Sequence, residues 1–238
     1  MSTIPSFDRY TMQARLLPMF VLLLPLGLLL LAWYPTTSVW LDAIETLGLP
    51  VVLTALLSQL GRDLGKKKEP ALFAEWGGMP TDRILSFSKT FLDGATFARY
   101  RAKLSALLPS MQFLDEAQET ASPEGALQVF RTCTNFLREK TRDHGNFALI
   151  FAENINYGFR RNLWAMRPAG ITISALATIG AASSILLTPN NPISPLIIVA
   201  ICINACLFVF WVLRINRNWV RVPAEEYAKQ LFAACEVL

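Results

Sequence analysis

Tyr157–Gly170 reads YGFRRNLWAMRPAG, and Ala169–Leu187, AGITISALATIGAASSILL, carries the chain on for nineteen residues without a charge. Arg160, Arg161 and Arg167, with Phe159 and Trp164 among them, therefore lie directly against an apolar stretch. Arginine beside aromatic rings suits a nucleic-acid surface, where charge meets phosphate and rings stack on bases. It also suits the cytoplasmic edge of a membrane span, where cations and tryptophans collect at the headgroups. An apolar run of about twenty residues is what a helix needs to cross a bilayer core.

Composition favours the membrane. The 238 residues have a mean hydropathy of +0.37, with 53% hydrophobic and only 17% charged residues. A soluble domain carries about a quarter charged residues, so this chain has apolar surface that lipid must cover. Three more runs fit a span. Leu16–Tyr34, LLPMFVLLLPLGLLLLAWY, is uncharged, too long for a signal-peptide core and followed by no small-residue cleavage site. Trp40–Leu60 holds Asp42 and Glu45 near its start and is apolar thereafter; Ile193–Leu213 is the last. The turns PTTSV and TPNNP join the runs into two hairpins.

Of the 22 Lys and Arg residues, two precede the first run, sixteen lie between Gly61 and Pro168, four follow the last run, and the hairpin turns hold none. The positive-inside rule then places both termini and the long middle segment in the cytoplasm. Trp33, Tyr34 and Trp40 fall at the outer interface, and Trp164, Trp211 and Trp219 at the inner one. The expected fold is an all-α membrane protein. Residues 1–15 form a cytoplasmic N-terminus and 16–60 a transmembrane hairpin. A helical cytoplasmic domain, 61–168, is inserted between spans two and three. A second hairpin, 169–213, and a cytoplasmic tail helix, 214–238, complete the chain. The location is a plasma membrane, multi-pass, with membrane lipid as the first partner.

The middle segment reads as helical throughout. EWGGMPTD breaks it, with Gly77-Gly78 as a turn and Thr81 as an N-cap leading into RILSFSKTFLD. ATFARYRAKLSALLPSM follows, ending near Pro109, and Ser122-Pro123-Glu124 opens a helix to about Lys140. After His144-Gly145-Asn146, the spacing of Phe147, Ile150, Phe151, Ile155 and Phe159 predicts a helix running into the third span. Pro223–Val237 reads as a tail helix packing on the middle domain or on a neighbouring subunit.

No P-loop, nucleophile elbow, HExxH or dinucleotide-binding glycine motif is present. Cys133, Cys202, Cys206 and Cys235 have no zinc-ligand spacing and His144 stands alone, so no catalytic residue, metal site or cofactor is expected. Along the second span Asp42 and Glu45 share a helix face at the outer mouth, and Thr46, Pro50, Thr54 and Ser58 recur every fourth residue inward. That stripe suits a water-filled path with a carboxylate ring at a cation-selective mouth. It equally suits tight helix packing, with the two acids favouring a helix N-terminus. Asn204, near the middle of the last span, suits an interhelical hydrogen bond or a polar pore position.

Two stretches, Glu75–Phe87 (EWGGMPTDRILSF) and Thr141–Ile171 (TRDHGNFALIFAENINYGFRRNLWAMRPAGI), cover about a fifth of the chain. With the four-span layout they resemble the small effectors encoded beside nucleotidyltransferases in bacterial anti-phage systems, the Hailong-type channel effectors. The resemblance implies a homo-oligomeric ion channel in the bacterial inner membrane, a tetramer. It implies that DNA oligomers or nucleotides from the partner nucleotidyltransferase gate it from the cytoplasmic side, and that its opening depolarises the cell. On that reading the candidate ligand residues are Tyr157, Arg160 and Arg161, then Arg99, Arg101 and Lys103, then Arg138, Lys140 and Arg142. Those lining a pore are Asp42, Glu45, Thr46, Thr54, Ser58 and Asn204. The alternatives are a non-conducting membrane anchor that recruits a cytoplasmic partner and a membrane enzyme of a type without a known motif.

Overall fold

The computed structural model describes residues 9–33, 49–187 and 194–238, and among them all regular structure is helical. A π-helical turn, Thr11–Leu16, leads into α1 (Leu17–Trp33). There follow α2 (Leu49–Glu75), the single turn α3 (Pro80–Arg83), α4 (Gly94–Leu107), α5 (Glu116–Ala121) and α6 (Pro123–Lys140). Then come the 40-residue α7 (Ala148–Leu187), α8 (Pro195–Val209) with a second π-helical turn (Phe210–Arg214), and α9 (Arg217–Ala233), which ends in a 3₁₀ turn. Two compact units result, 1–68 with 158–220 and 69–157 with 221–238. Helices α2, α7 and α9 each contribute residues to both.

Among the described residues three helical stretches are long and apolar enough to cross a membrane: Thr11–Leu30, Ala148–Leu187 and Pro195–Arg214. No more than a third of the apolar window in any of them is buried within the chain: 33%, 28% and 17%. Leu30, Leu176, Ile179, Leu186 and Leu213 point outward, fully apolar and largely uncovered. Water would oppose that exposure by about 25 cal/mol for every Å², so the medium around these helices is lipid or another apolar surface. Of the expected second span, Trp40–Gly48 lies outside the described residues, and α2 continues it from Leu49 to Glu75.

Close backbone approach builds the first unit. Trp33 Nε1 donates to the Gly180 carbonyl at 3.0 Å, and a Cβ at Gly180 would lie 3.1 Å from the Leu29 side chain. Gly170 is tighter: a Cβ there would fall 2.3 Å from Trp211, whose indole is fully buried. Met19, Leu22, Leu163, Met166, Trp211 and Ile215 form the core around this contact.

The second unit has its own core. In α6 the buried positions Ala126, Phe130, Cys133 and Leu137 recur at spacings of four and three, one stripe of a 3.6-residue period. The stripe packs on Leu104 of α4, Ile150 of α7, and Ala228, Leu231, Phe232 and Cys235 at the end of the chain. The tail thus packs on the middle segment. Burying each large aliphatic or aromatic side chain contributes about 1.5–3 kcal/mol.

Local signals set the boundaries. Gly77 and Gly78, with φ of 76° and 132°, end α2, and Gly78 N–H returns to the Phe73 carbonyl at 2.8 Å. Asp115 and Gln118 form a reciprocal capping box on α5, and Asp93 caps α4 through Thr96 N–H at 2.9 Å. Two expectations are corrected. Thr81 is no N-cap: Met79 takes that place because Pro80 occupies the first helical position, and α3 stops at Arg83 instead of continuing through RILSFSKTFLD. The segment after it turns, with Ser86 Oγ donating to Glu119 Oε1 at 2.5 Å and Thr90 Oγ1 to the Ile84 carbonyl at 3.1 Å. The tail helix begins at Arg217, six residues before Pro223, which sits in its first turns.

Candidate functional site

The arginines of the opening stretch are bonded within the first unit. Arg160 Nη1 donates to the Trp219 carbonyl at 3.0 Å, and its guanidinium lies 4.9 Å from the centre of the Trp219 ring. Arg161 is 6% exposed and donates through Nε and Nη2 to Asn162 Oδ1 at 3.3 and 3.2 Å. Asn162 in turn donates through Nδ2 to the Ala14 carbonyl at 2.8 Å. Arg167 donates to the Trp211 and Val212 carbonyls at 3.1 and 2.8 Å. The acceptors Ala14, Trp211 and Val212 all belong to π-helical turns. A π turn disturbs the i to i+4 pattern and leaves carbonyls open to side-chain donors. Asn162 and Arg167, five residues apart on α7, so tie α7 to the π turns before α1 and after α8. Gly65 admits α2 to the same cluster, since a Cβ there would lie 2.2 Å from Asn162 Oδ1. Lys68 Nζ adds a bond to the Ala165 carbonyl at 2.7 Å.

In the second unit the proposed cations have different roles. Arg101 is built into the fold: its guanidinium donates to the carbonyls of Leu85 and Leu114 and lies 4.3 Å from the centre of the Phe87 ring, with Phe97 and Phe113 beside it. Burial pulls its pKa below the usual arginine value. Arg99 pairs with Glu236, which raises its own. Lys103, Arg138, Lys140 and Arg142 are exposed. Tyr157 O–H donates to Glu69 Oε1 at 2.5 Å, and Arg138 Nε donates to Tyr227 Oη at 3.3 Å. Both pairs line one cavity, with Phe73, Met79 and Pro80 in its wall. The structure thus brings Tyr157 and Arg138 together and leaves Arg99, Arg101 and Lys103 apart from them.

Of the residues expected along a pore, Asp42, Glu45 and Thr46 lie outside the described residues, as does the side chain of Thr54. Ser58 is 3% exposed. Asn204 is fully buried and donates through Nδ2 to the Pro25 carbonyl at 3.4 Å, while its Oδ1 has no donor among the described residues. The interhelical bond expected of Asn204 is therefore present, made to the backbone at a proline of α1.

Burial also displaces two thiols and a carboxyl of the second unit. The Cys133 and Cys235 thiols are pushed up to about 12 and about 11. The Asp82 carboxyl is raised by desolvation, against the pull of Arg131 at 3.5 Å and the more distant Arg138. Among the described residues no cluster of His, Cys, Asp and Glu could hold a metal ion. Asn162, Asn154, Thr81 and Tyr227 were not legible as site residues, because nothing local in the sequence separates them from ordinary helix positions. No protein-family model, curated protein or solved structure matches the chain.

Proposed function

We propose that the chain is a membrane effector, an oligomeric ion channel gated by an anionic cytoplasmic ligand such as a nucleotide or a DNA oligomer. Its role, on the resemblance above, is to depolarise the bacterial inner membrane in anti-phage defence. One observation carries this reading: α7 is a single helix that contains the Tyr157–Arg161 stretch and the apolar segment to Leu187. A ligand that displaces that stretch acts on the apolar segment through one helix, which carries Pro168 between the two. The uncovered apolar faces of the spans supply a surface for neighbouring copies as well as for lipid.

A second reading, a non-conducting anchor that recruits a cytoplasmic partner, draws on the internal bonding of Arg99, Arg101, Arg160 and Arg161, which is what structural arginines do. Replacement of Asp42 by Asn together with Glu45 by Gln separates the two. A channel with these acids at its mouth loses cation preference in bilayer recordings while still reaching the membrane. An anchor keeps its function unchanged, and a conducting protein with unaltered selectivity would remove the acids from the pore.

A further inference from the structure

The cavity in the second unit, about 220 Å³ in volume, is lined by Glu69, Thr81, Arg138, Asn154, Tyr157 and Tyr227, and the rest of its wall is apolar. Thr81 is 3% exposed and its hydroxyl has no hydrogen-bond partner among the described residues. A buried hydroxyl left unpaired costs stability unless something in the cavity meets it. The two tyrosines are each fixed by a charge of opposite sign, Tyr157 by Glu69 and Tyr227 by Arg138. The cavity wall therefore carries a guanidinium, a carboxylate, two phenol rings, a hydroxyl and an amide. The space is small beside the pockets that enclose large organic ligands, so a compact ligand fits it best.

We propose that this cavity binds a small zwitterion of the α-amino-acid class. Arg138 takes the carboxylate through a charge-assisted pair, with the Thr81 hydroxyl and the Asn154 amide completing its hydrogen bonds. The ammonium lies toward Glu69 against the tyrosine rings, which favour a cation at their faces. The ligand's side chain fills the apolar end. This site requires neither a pore nor an oligomer, so it stands apart from the channel reading.

The test uses the full chain purified in detergent, with the common L-amino acids added singly and binding read by thermal shift and calorimetry. One amino acid or a few related ones should raise the melting temperature in a dose-dependent way. The matching amine without a carboxyl, and the matching acid without an amine, should not. Arg138→Met should weaken binding about ten- to a hundredfold, and Thr81→Val, close in shape, should weaken it as well. Arg138→Lys keeps the charge and should retain part of the affinity, which separates lost recognition from lost folding. The proposal is overturned if no amino acid binds the wild type, or if Arg138→Met binds equally well. Equal binding of the acid without its amine, or binding of free nucleobases alone, overturns it too.

Discussion

Replacing Gly170 with alanine adds one methyl group where α7 packs against the buried Trp211 indole in the first unit. The new carbon would lie 2.3 Å from two indole carbons of Trp211 and 2.6 Å from a third. Carbon atoms rest about 3.5–4.0 Å apart, so the two backbones must separate by more than an ångström or the indole must leave its place. Neither is easy: Trp211 is fully buried, and Arg167 holds the carbonyls of Trp211 and Val212. Overpacking of this kind costs about 1–3 kcal/mol. Stretching two hydrogen bonds from a charged donor adds about 1.5–3 kcal/mol. Alanine returns up to about 1 kcal/mol of helix propensity, leaving a net loss of about 1.5–6 kcal/mol. For a chain of this size that is a fall of roughly 3–24 °C in melting temperature. Tryptophan fluorescence in nanodiscs reads it directly. Gly27→Ala is the matched control, because nothing lies within 4 Å of a Cβ there. It should leave the melting temperature unchanged or slightly raised. A Gly170→Ala protein as stable as wild type, or a Gly27→Ala protein equally damaged, refutes the packing argument.

Arg101→Lys should not rescue its site: two loop carbonyls and three rings are matched to a planar guanidinium. A loss of about 2–4 kcal/mol is expected in denaturant titration. Cys133 and Cys235 should resist thiol reagents at pH 8 until the second unit unfolds, since thiols pushed up to about 12 and about 11 are ionised there in only about one molecule in ten thousand and one in a thousand; rapid labelling of the native protein would contradict their burial. Asp82 binds its proton more tightly folded than unfolded. It therefore lowers stability at pH values above its folded pKa and ceases to do so as pH falls toward its unfolded value. Asp82→Asn should leave neutral-pH stability equal or higher and remove that acid-side gain. A variant much less stable at neutral pH would show that the Arg131 pair outweighs desolvation.

The legible parts of this chain are those governed by local physics. Uncharged runs marked the spans before α7 and α8 were seen, Gly77-Gly78 marked the end of α2, and Pro123 marked the start of α6. The unbroken helix from Ala148 into the apolar segment ending at Leu187 was readable because no proline or glycine pair interrupts its apolar face before Pro168. The segment after Arg83 misled because its leucine and phenylalanine spacing mimics a helix, whereas Ser86 and Thr90 take up its hydrogen bonds in turns. Charge was the least legible part. The sequence cannot show whether an arginine faces solvent or a backbone carbonyl, and Arg101, Arg161 and Arg167 are spent on carbonyls and a neighbouring amide. The π turns that receive Asn162 and Arg167 leave no composition signal, and neither does a cavity assembled from residues 69 to 227.

The channel reading is tested most directly by ion flux from proteoliposomes. The full chain, shown by circular dichroism to be helical, is reconstituted with a potassium-sensitive dye, and short oligodeoxynucleotides are added to the outside of vesicles that expose the middle segment. The account predicts potassium flux that falls when the oligonucleotide binds. Flux indifferent to the oligonucleotide would contradict the proposed ligand, and folded protein that passes no ions under any condition would contradict the channel itself.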